Sequence, residues 1–432
     1  MMTRGLRFAR RAAAITCALI YHLMRWMGGW LLLLLAGRSA NERRDWFGAC
    51  VTDLFRKLGA TFIKVGQIMS TRPDLLPPHV VRALEKLQDQ VGPFPYAEVE
   101  QVILEEFGHR PDDLFAEFAK EPMASASVAQ VHRARLAGQG LVAVKVRRPG
   151  IEALVDIDLA IMGLFARLLA LWPSISLLAP EEAVVEFGRG IRAQLDFELE
   201  ARNNKRFRRL FATDPDVVFP ALVPHLCGRR VLTMELIAGH KILDARTTSP
   251  DQRRLARVGL RMLFQMIFVD GFVHADLHPG NILVTPEGKL AVLDVGLVAE
   301  LDESHRLGIS RYFAAWAVGD GLSVARIMGE LSPSVGRIAD PAGFSRDVCA
   351  FVERHRGKRL GEVQVGQVIF EVMQILRRHR VRANATFTLI NIAIAVTEGI
   401  GKQLDPSLDL FQEAMQFFAR YPQRPASAQA WP

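Results

Sequence analysis

Cysteine is scarce in this 432-residue chain. Cys17, Cys50, Cys227 and Cys349 are far apart, and no two form a C-x-x-C pair. That spacing excludes a disulfide framework and a structural zinc site, and it fits a reducing compartment. Internal repeats and low-complexity tracts are also missing. So are zinc-finger spacing, an aromatic-rich RNA-binding signature and a helix-turn-helix pattern, which leaves nucleic acid a poor partner despite the positive charge. No small-x-small cleavage site follows the N-terminal apolar run; "LAGRSA" has an arginine in the way. Residues 385–400, "ATFTLINIAIAVTEGI", are too short and too polar-spotted to span a bilayer and read as a buried helix.

What is present begins with length for two or three cores and an ordinary globular composition. The net charge is +8, with basic clusters at 202–209 ("RNNKRFRR"), 354–359 ("RHRGKR") and 377–382 ("RRHRVR"). Such clusters either attract phosphates or are solvated helix faces. Residues 12–37 are apolar, and Arg4, Arg7, Arg10 and Arg11 precede them. The length suffices for a span, but His22 and Arg25 fall in its middle, where a charge costs about 3 kcal/mol. The basic N-terminal flank would also place the rest of the chain outside the cytoplasm. The expectation is an interfacial helix or hairpin on the cytoplasmic face of an anionic membrane, with Trp26 and Trp30 at headgroup depth and the arginines on lipid phosphates. A true span is the alternative.

The body reads as α+β. Helical spacing runs from about 41 to 70 and "TRPDLLPP" interrupts it; a helix pair then continues to about 119. Near 121 the pattern becomes strand-like. "SVAQVHRARL" and "LVAVKVRRPG" flank the turn "AGQG" and predict a hairpin. Residues 151–171 and 180–211 return to helix, and "VVFPALV" and "RRVLTMELI" are strand candidates. Beyond about 250 the chain is mostly helical, with short strands near 282–284 and 290–294. Five segments are expected: a membrane-associating stretch (1–40), a helical extension (41–120), a strand-rich lobe with inserted helices (121–236), a helical lobe (237–415) and a tail (416–432). A cleft between the lobes is expected.

Three short motifs occur in a fixed order. Lys145 stands in the strand "VAVKV". In "HADLHPGN" (274–281), Asp276 and Asn281 are five apart. Asp294 ends an apolar run in "LDVG", thirteen residues later. This is the order of a phosphoryl-transfer site. A lysine neutralises phosphate, Asp276 orients or deprotonates the attacking hydroxyl or water, and Asn281 and Asp294 offer hard oxygens to Mg²⁺. One competing reading makes His274, Asp276 and His278 a transition-metal site on one face of a strand. It leaves Pro279, Gly280 and Asn281 without a role.

With these residues, the chain resembles the UbiB (AarF) family of atypical, protein-kinase-like ATPases over about 55–410. "FIKVGQIMSTRPDLLP" is similar to that family's Lys-x-Gly-Gln signature, with Lys64, Gly66 and Gln67. "PMASASVAQVHRA" resembles its alanine-rich nucleotide loop, with Ala124, Ser125, Ala126 and Ser127. "DFELEARN" resembles the helix whose glutamate, here Glu200, pairs with Lys145. "VLTMELIAG" resembles the hinge, so that Glu235 and Leu236 face adenine. The resemblance implies a two-lobed, kinase-like fold with a helical extension, ATP and Mg²⁺ as cofactors, and support of isoprenoid-lipid metabolism, ubiquinone biosynthesis in particular. It also implies quinone or isoprenoid intermediates and lipid-biosynthesis enzymes as partners. Further, it implies regulation by Lys64 and Gln67, with Lys64 clasped by a Glu-x-Asp signature.

Here that signature reads Gln194-Leu195-Asp196, one carboxylate short. Ala275 replaces the arginine that usually reads a phosphorylated activation loop, and no A-P-E signature follows Asp294, so control by lipid or partner is expected. Val295 follows the metal aspartate where phenylalanine is usual. A phosphotransferase acting on a small-molecule or lipid hydroxyl shares all of these residues. A nucleotide-gated, non-catalytic scaffold for membrane enzymes is the remaining alternative.

Overall fold

Ser39 shows how the N-terminal region is divided. Its hydroxyl accepts from the Glu42 backbone N–H, and the Glu42 carboxylate accepts from the Ser39 N–H, a reciprocal cap that starts a new helix. In the computed structural model, α1 (Arg4–Leu35) therefore ends just before α2 (Ala40–Leu58), and α3 (Ala60–Ser70) and α4 (Pro78–Leu84) follow. The structure describes residues 4–70, 78–84, 87, 92–138, 140–172, 180–244, 249–332, 340–355 and 365–379, with isolated positions between 338 and 420. The expected helix break at 71–77, most of the 385–400 helix and most of the tail lie outside the described residues; within the expected tail, residues 416–418 are helical and Phe417 is buried in the core.

By internal contacts the chain forms two units. One comprises Met1–Lys205 with Pro220–Leu236, and the other Arg206–Phe219 with Ile237–Pro432. In the first unit, α5 (Tyr96–Phe107) and a short turn of helix, α6 (Pro111–Leu114), precede β1 (Glu117–Ser125), β2 (Ala129–Leu136) and β3 (Gly140–Arg147). The β2–β3 hairpin forms at "AGQG" as expected, with Gly138 and Gly140 at φ 74° and 88°, where side chains are disfavoured. Next come α7 (Ile151–Leu169), α8 (Pro180–Gln194) and α9 (Phe197–Leu210); after β4 (Val217–Val218), β5 (Leu222–Cys227) and β6 (Val231–Glu235) complete an antiparallel sheet of order β1-β2-β3-β6-β5.

Alternation along β3 decides what each face of that sheet does. Val142, Val144 and Val146 are buried in one cluster with Val99, Val102 and Ile103 of α5. Ala143, on the opposite face, clusters with Leu232 and Met234 of β6 and with Phe197 and Ala201 of α9. The strand β1 begins at Glu117, a few residues before the strand-like pattern becomes visible in the sequence, and it is irregular between Pro122 and Ala124.

Helix α1 is continuous, with no hairpin, and Arg11, His22 and Arg25 face the protein, whereas Arg7 and Arg10 are exposed. The side chains that are not exposed recur at helical spacing (Phe8, Arg11, Ile15, Ala18, His22, Arg25, Gly29). Arg11 donates to Leu58 O at 2.6 Å and to both oxygens of Asp158 at 2.6 and 2.9 Å. Arg25 meets Asp53 at 2.8 Å and lies over the Trp46 ring. His22 is buried, which holds its pKa below the ordinary histidine value. Trp26 packs edge-on against Phe47, so of the two expected headgroup tryptophans only Trp30 is exposed. Arg11, expected on lipid phosphates, pairs with Asp158, and Arg25, the charge in the middle of the apolar run, pairs with Asp53.

In the second unit, α10 (Ser249–Phe264) runs into a π-helical turn (Gln265–Asp270), a feature that often accompanies functional loops. The short strands β7 (His240–Lys241), β8 (Phe272–His274), β9 (Ile282–Val284), β10 (Leu290–Val292) and β11 (Val298–Glu300) form two small sheets, β4-β10-β9-β7 and β11-β8. Helices α11 (Glu303–Ala317), α12 (Gly321–Glu330), α13 (Pro341–His355) and α14 (Val365–Arg378) follow. One apolar core joins Phe207, Leu263, Ile267, Phe272, Val292 and Phe351. Several members of the basic clusters answer acids inside this unit: Arg206 pairs with Glu300, Arg354 with Glu371 and Arg378 with Asp347.

Candidate functional site

Lys145 projects from β3 on the face covered by α9. Its Nζ is 2.9 Å from both carboxylate oxygens of Glu200 and 5.0 Å from the centre of the Phe197 ring. Glu200 is 1% exposed. A buried carboxylate needs such a partner, because removing one member of a buried pair strands the other. Asp196 sets the start of α9: its Oδ1 accepts from the N–H groups of Glu198 and Leu199, an N-cap one turn before Glu200. Gln194 is the last residue of α8, so the Gln194-Leu195-Asp196 signature is the joint between α8 and α9.

Two arginines beyond Lys145 fix this arrangement, and nothing in the motifs marked them. Arg147, on the same face of β3 as Lys145 and 6% exposed, donates to Leu195 O at 2.6 Å and pairs with Glu152. It thereby tethers the α8–α9 joint to the strand that carries the lysine. Arg148 donates to Gly92 O and Ala126 O, while its backbone N–H bonds Val128 O at 2.8 Å.

The alanine-rich stretch held by Arg148 is more strand than loop. Ala124 and Ser125 pair with Val131 and Gln130, Ala126 N–H bonds Ala129 O at 2.7 Å, and Ser127 is buried. At the hinge, the Glu235 N–H donates to Ala221 O, the Glu235 carboxylate accepts from the Ala221 N–H, and the Leu236 N–H bonds Leu141 O. Leu236 packs against the cluster that contains Ala129, Ala143 and Met234.

The Lys-x-Gly-Gln signature lies on α3. A side chain at Gly66 would collide with Leu87 and Phe55, so glycine there permits close packing on α2. Gln67 donates to Leu87 O at 3.1 Å.

In the second unit the loop "HADLHPGN" is organised around His274. This residue is fully buried, and burial lowers its pKa, which keeps the ring neutral. Nε2 is 2.5 Å from Asp294 O, and Nδ1 accepts the Asp276 N–H at 3.1 Å. A carbonyl only accepts, so Nε2 carries the proton. One imidazole thus ties the backbone of Asp276 to that of Asp294. His278 caps the turn Pro279–Asn281 by accepting from Gly280 N–H. Asn281 O accepts from Leu293 N–H at 2.9 Å, which joins the asparagine to the segment leading into Asp294. Asp294 in turn accepts from Gly296 N–H.

Pro279, Gly280 and Asn281 are therefore a built turn. Both histidines have ring nitrogens engaged, His278 Nδ1 with Gly280 N–H and His274 with Asp276 N–H and Asp294 O, so the competing histidine-metal reading would have to dismantle these bonds. The hard amide and carboxylate oxygens of Asn281 and Asp294 suit Mg²⁺, and His274 is a positioning residue. Val295 is buried in the core.

Comparison with known proteins agrees with this geometry. Residues 86–328 match the ABC1 atypical kinase-like domain and residues 348–409 the UbiB helical domain. The chain belongs to the ABC1/UbiB family of atypical kinase-like proteins. "Probable protein kinase UbiB" of Marinobacter nauticus is 36% identical over 371 residues, covering 84% of this chain and 67% of that protein. A Mycobacterium tuberculosis protein solved in complex with erythromycin matches with a TM-score of 0.58 at 22% identity, over 83% of this chain and 92% of that one. This second likeness shows the kinase-like fold alone.

Proposed function

We propose that this UbiB-family protein is a membrane-associated, Mg²⁺-dependent ATPase that supports isoprenoid-lipid metabolism, ubiquinone biosynthesis in particular. The observation that carries the reading is the Lys145–Glu200 pair, two bonds of 2.9 Å around a buried carboxylate. Lys145 neutralises nucleotide phosphate and Glu200 aims it. Ala124–Ser127 line the phosphates on a turn pinned by Arg148, and Glu235 and Leu236 face adenine. Asn281 and Asp294 hold the metal, which when bound supplies charge neutralisation to the phosphate oxygens. Asp276, oriented through its backbone by His274, accepts the proton of the attacking water. The same residue would serve a lipid or small-molecule hydroxyl, which is the transferase reading. Lys64, Gln67, Gln194 and Asp196 regulate the site; because Asp196 also caps α9, its regulation works through the position of Glu200.

The membrane part of the reading, a protein on the cytoplasmic face working with lipid-biosynthesis enzymes, is supported by α1 only as far as membrane contact: it is the one helix among the described residues long and apolar enough to cross a bilayer. Nucleotide binding tests the catalytic part. ATP with Mg²⁺ at about a hundred times its Kd stabilises the fold by about 2.7 kcal/mol. The melting temperature should rise accordingly, and Asp294→Asn should remove the Mg²⁺-dependent part of the rise. An equal rise in the variant contradicts the assignment of Asp294.

A further inference from the structure

The first turn of α9 brings two different groups to Lys145. Glu200 lies three residues after Phe197, so their side chains share the helix face that meets β3. The Phe197 ring is fully buried in one cluster with Ala129, Ala143, Leu232 and Met234, and its centre is 5.0 Å from the Lys145 ammonium. A cation at that distance is attracted by the ring quadrupole, most strongly where water is excluded. The Lys145 side chain is only 11% exposed.

The place of the ring is fixed from outside the site. The Phe197 N–H bonds Arg229 O at 3.2 Å and the Arg147 N–H bonds Arg230 O at 2.9 Å, so the turn between β5 and β6 joins the start of α9 to the end of β3. Helix α5 clasps that turn. The Glu106 carboxylate accepts from the Arg230 backbone N–H at 3.2 Å and from its Nε at 2.8 Å, and Glu105 accepts from the guanidinium at 2.6 Å. A side chain at Gly228 would collide with Glu106, so glycine there permits the close approach.

We propose that Phe197 is a positioning residue for Lys145, its ring holding the ammonium beside Glu200, and that the Glu106–Arg230 clasp sets the ring from α5. The inference rests on the ATP reading above and adds the groups that keep its lysine in place. Lysine carries its charge on a flexible four-carbon stem. Glu200 fixes the ammonium but also neutralises it, whereas the ring holds it without adding negative charge. An ammonium ordered before the nucleotide arrives spares binding the cost of ordering it.

Equilibrium binding of ATP with Mg²⁺ to the full chain, together with the melting temperature of each variant, tests the proposal. Phe197→Leu keeps an apolar side chain and removes the ring; it should weaken ATP affinity by about tenfold. Phe197→Tyr restores the ring face but buries a hydroxyl, so it should recover most of that affinity while melting below wild type. Affinity that simply follows melting temperature across both variants shows packing alone and overturns the role of the ring. Arg230→Met should weaken ATP binding in the same direction, and wild-type affinity in that variant overturns the part given to α5. The contact is also read without nucleotide. Phe197→Leu should cost more stability in wild type than in Lys145→Met/Glu200→Leu, where no cation faces the ring. Equal costs overturn the contact itself. If wild type binds no ATP, the nucleotide reading falls and the positioning role with it, while a larger cost in wild type still establishes the contact.

Discussion

At the scale of single residues, Lys145 and Glu200 make the sharpest prediction. Lys145→Met leaves Glu200 charged and buried without its partner and should destabilise the protein by about 3–5 kcal/mol. Adding Glu200→Leu should recover most of that loss while ATP binding stays impaired, so melting temperature and nucleotide affinity separate in the double variant. If the single variant melts as the wild type does, the pair is not the buried contact described here. His132 makes a pH prediction outside the nucleotide site. Burial lowers its pKa from 6.5; its ring stacks on Phe118, Nδ1 bonds Ala119 O at 2.8 Å, and Nε2 faces the Gln130 amide at 2.9 Å. The folded state holds this ring neutral, whereas the unfolded chain takes up a proton near pH 6.5. The unfolded state therefore gains protons as pH falls, and the His132 contribution to stability is lost below about pH 6.5. Melting temperature should fall through that range in wild type and less steeply in His132→Gln.

At the scale of elements, β3 and the joint between α8 and α9 act together. Arg147→Met should weaken ATP affinity without touching the nucleotide, because it releases Leu195 O and with it the start of α9. Asp196→Ala, which removes the cap of that helix, should cost about 1 kcal/mol in denaturant unfolding. Equal ATP affinity in wild type and Arg147→Met would show that the joint does not position Glu200. Gly66→Ala tests the packing of α3. A methyl group forced against Leu87 and Phe55 should cost about 1–3 kcal/mol.

How much of this was legible beforehand depends on distance along the chain. The β2–β3 hairpin announced itself in "AGQG", and the phosphoryl-transfer order in three local motifs; the pairing of Lys145 with Glu200, 55 residues apart, followed from the family resemblance. Other assignments had no local sign. Arg147 and Arg148 look like a basic doublet until their carbonyl partners 48 and 56 residues away are known. The three-residue strands β8 and β11 are too short for a period of two to register, and they exist because they pair with each other. His274 read as a possible metal ligand because alternation gives a face but not the partner on it. Its partner is Asp294 O, twenty residues on.

At the scale of the whole molecule, the N-terminal arginines are the clearest case of tertiary context overriding composition. Within a run of 26 apolar-rich residues, His22 and Arg25 look prohibitive for lipid and ordinary for a docked helix face. The Asp158 side chain is completely buried, so Arg11→Ala should destabilise the protein by about 3–5 kcal/mol, more than a surface ion pair would. The indole of Trp46 occupies the space a side chain at Gly29 would need, so Gly29→Leu should loosen α1 while making it more apolar. Limited proteolysis between α1 and α2 should then quicken.

The central claim concerns the nucleotide, and phosphate release from ATP with Mg²⁺ tests it most directly. It should be measured for wild type and Asp294→Asn, with and without vesicles containing phosphatidylglycerol. The account predicts release by wild type that anionic vesicles stimulate and that Asp294→Asn abolishes. Wild type that binds ATP but releases no phosphate under either condition would contradict it.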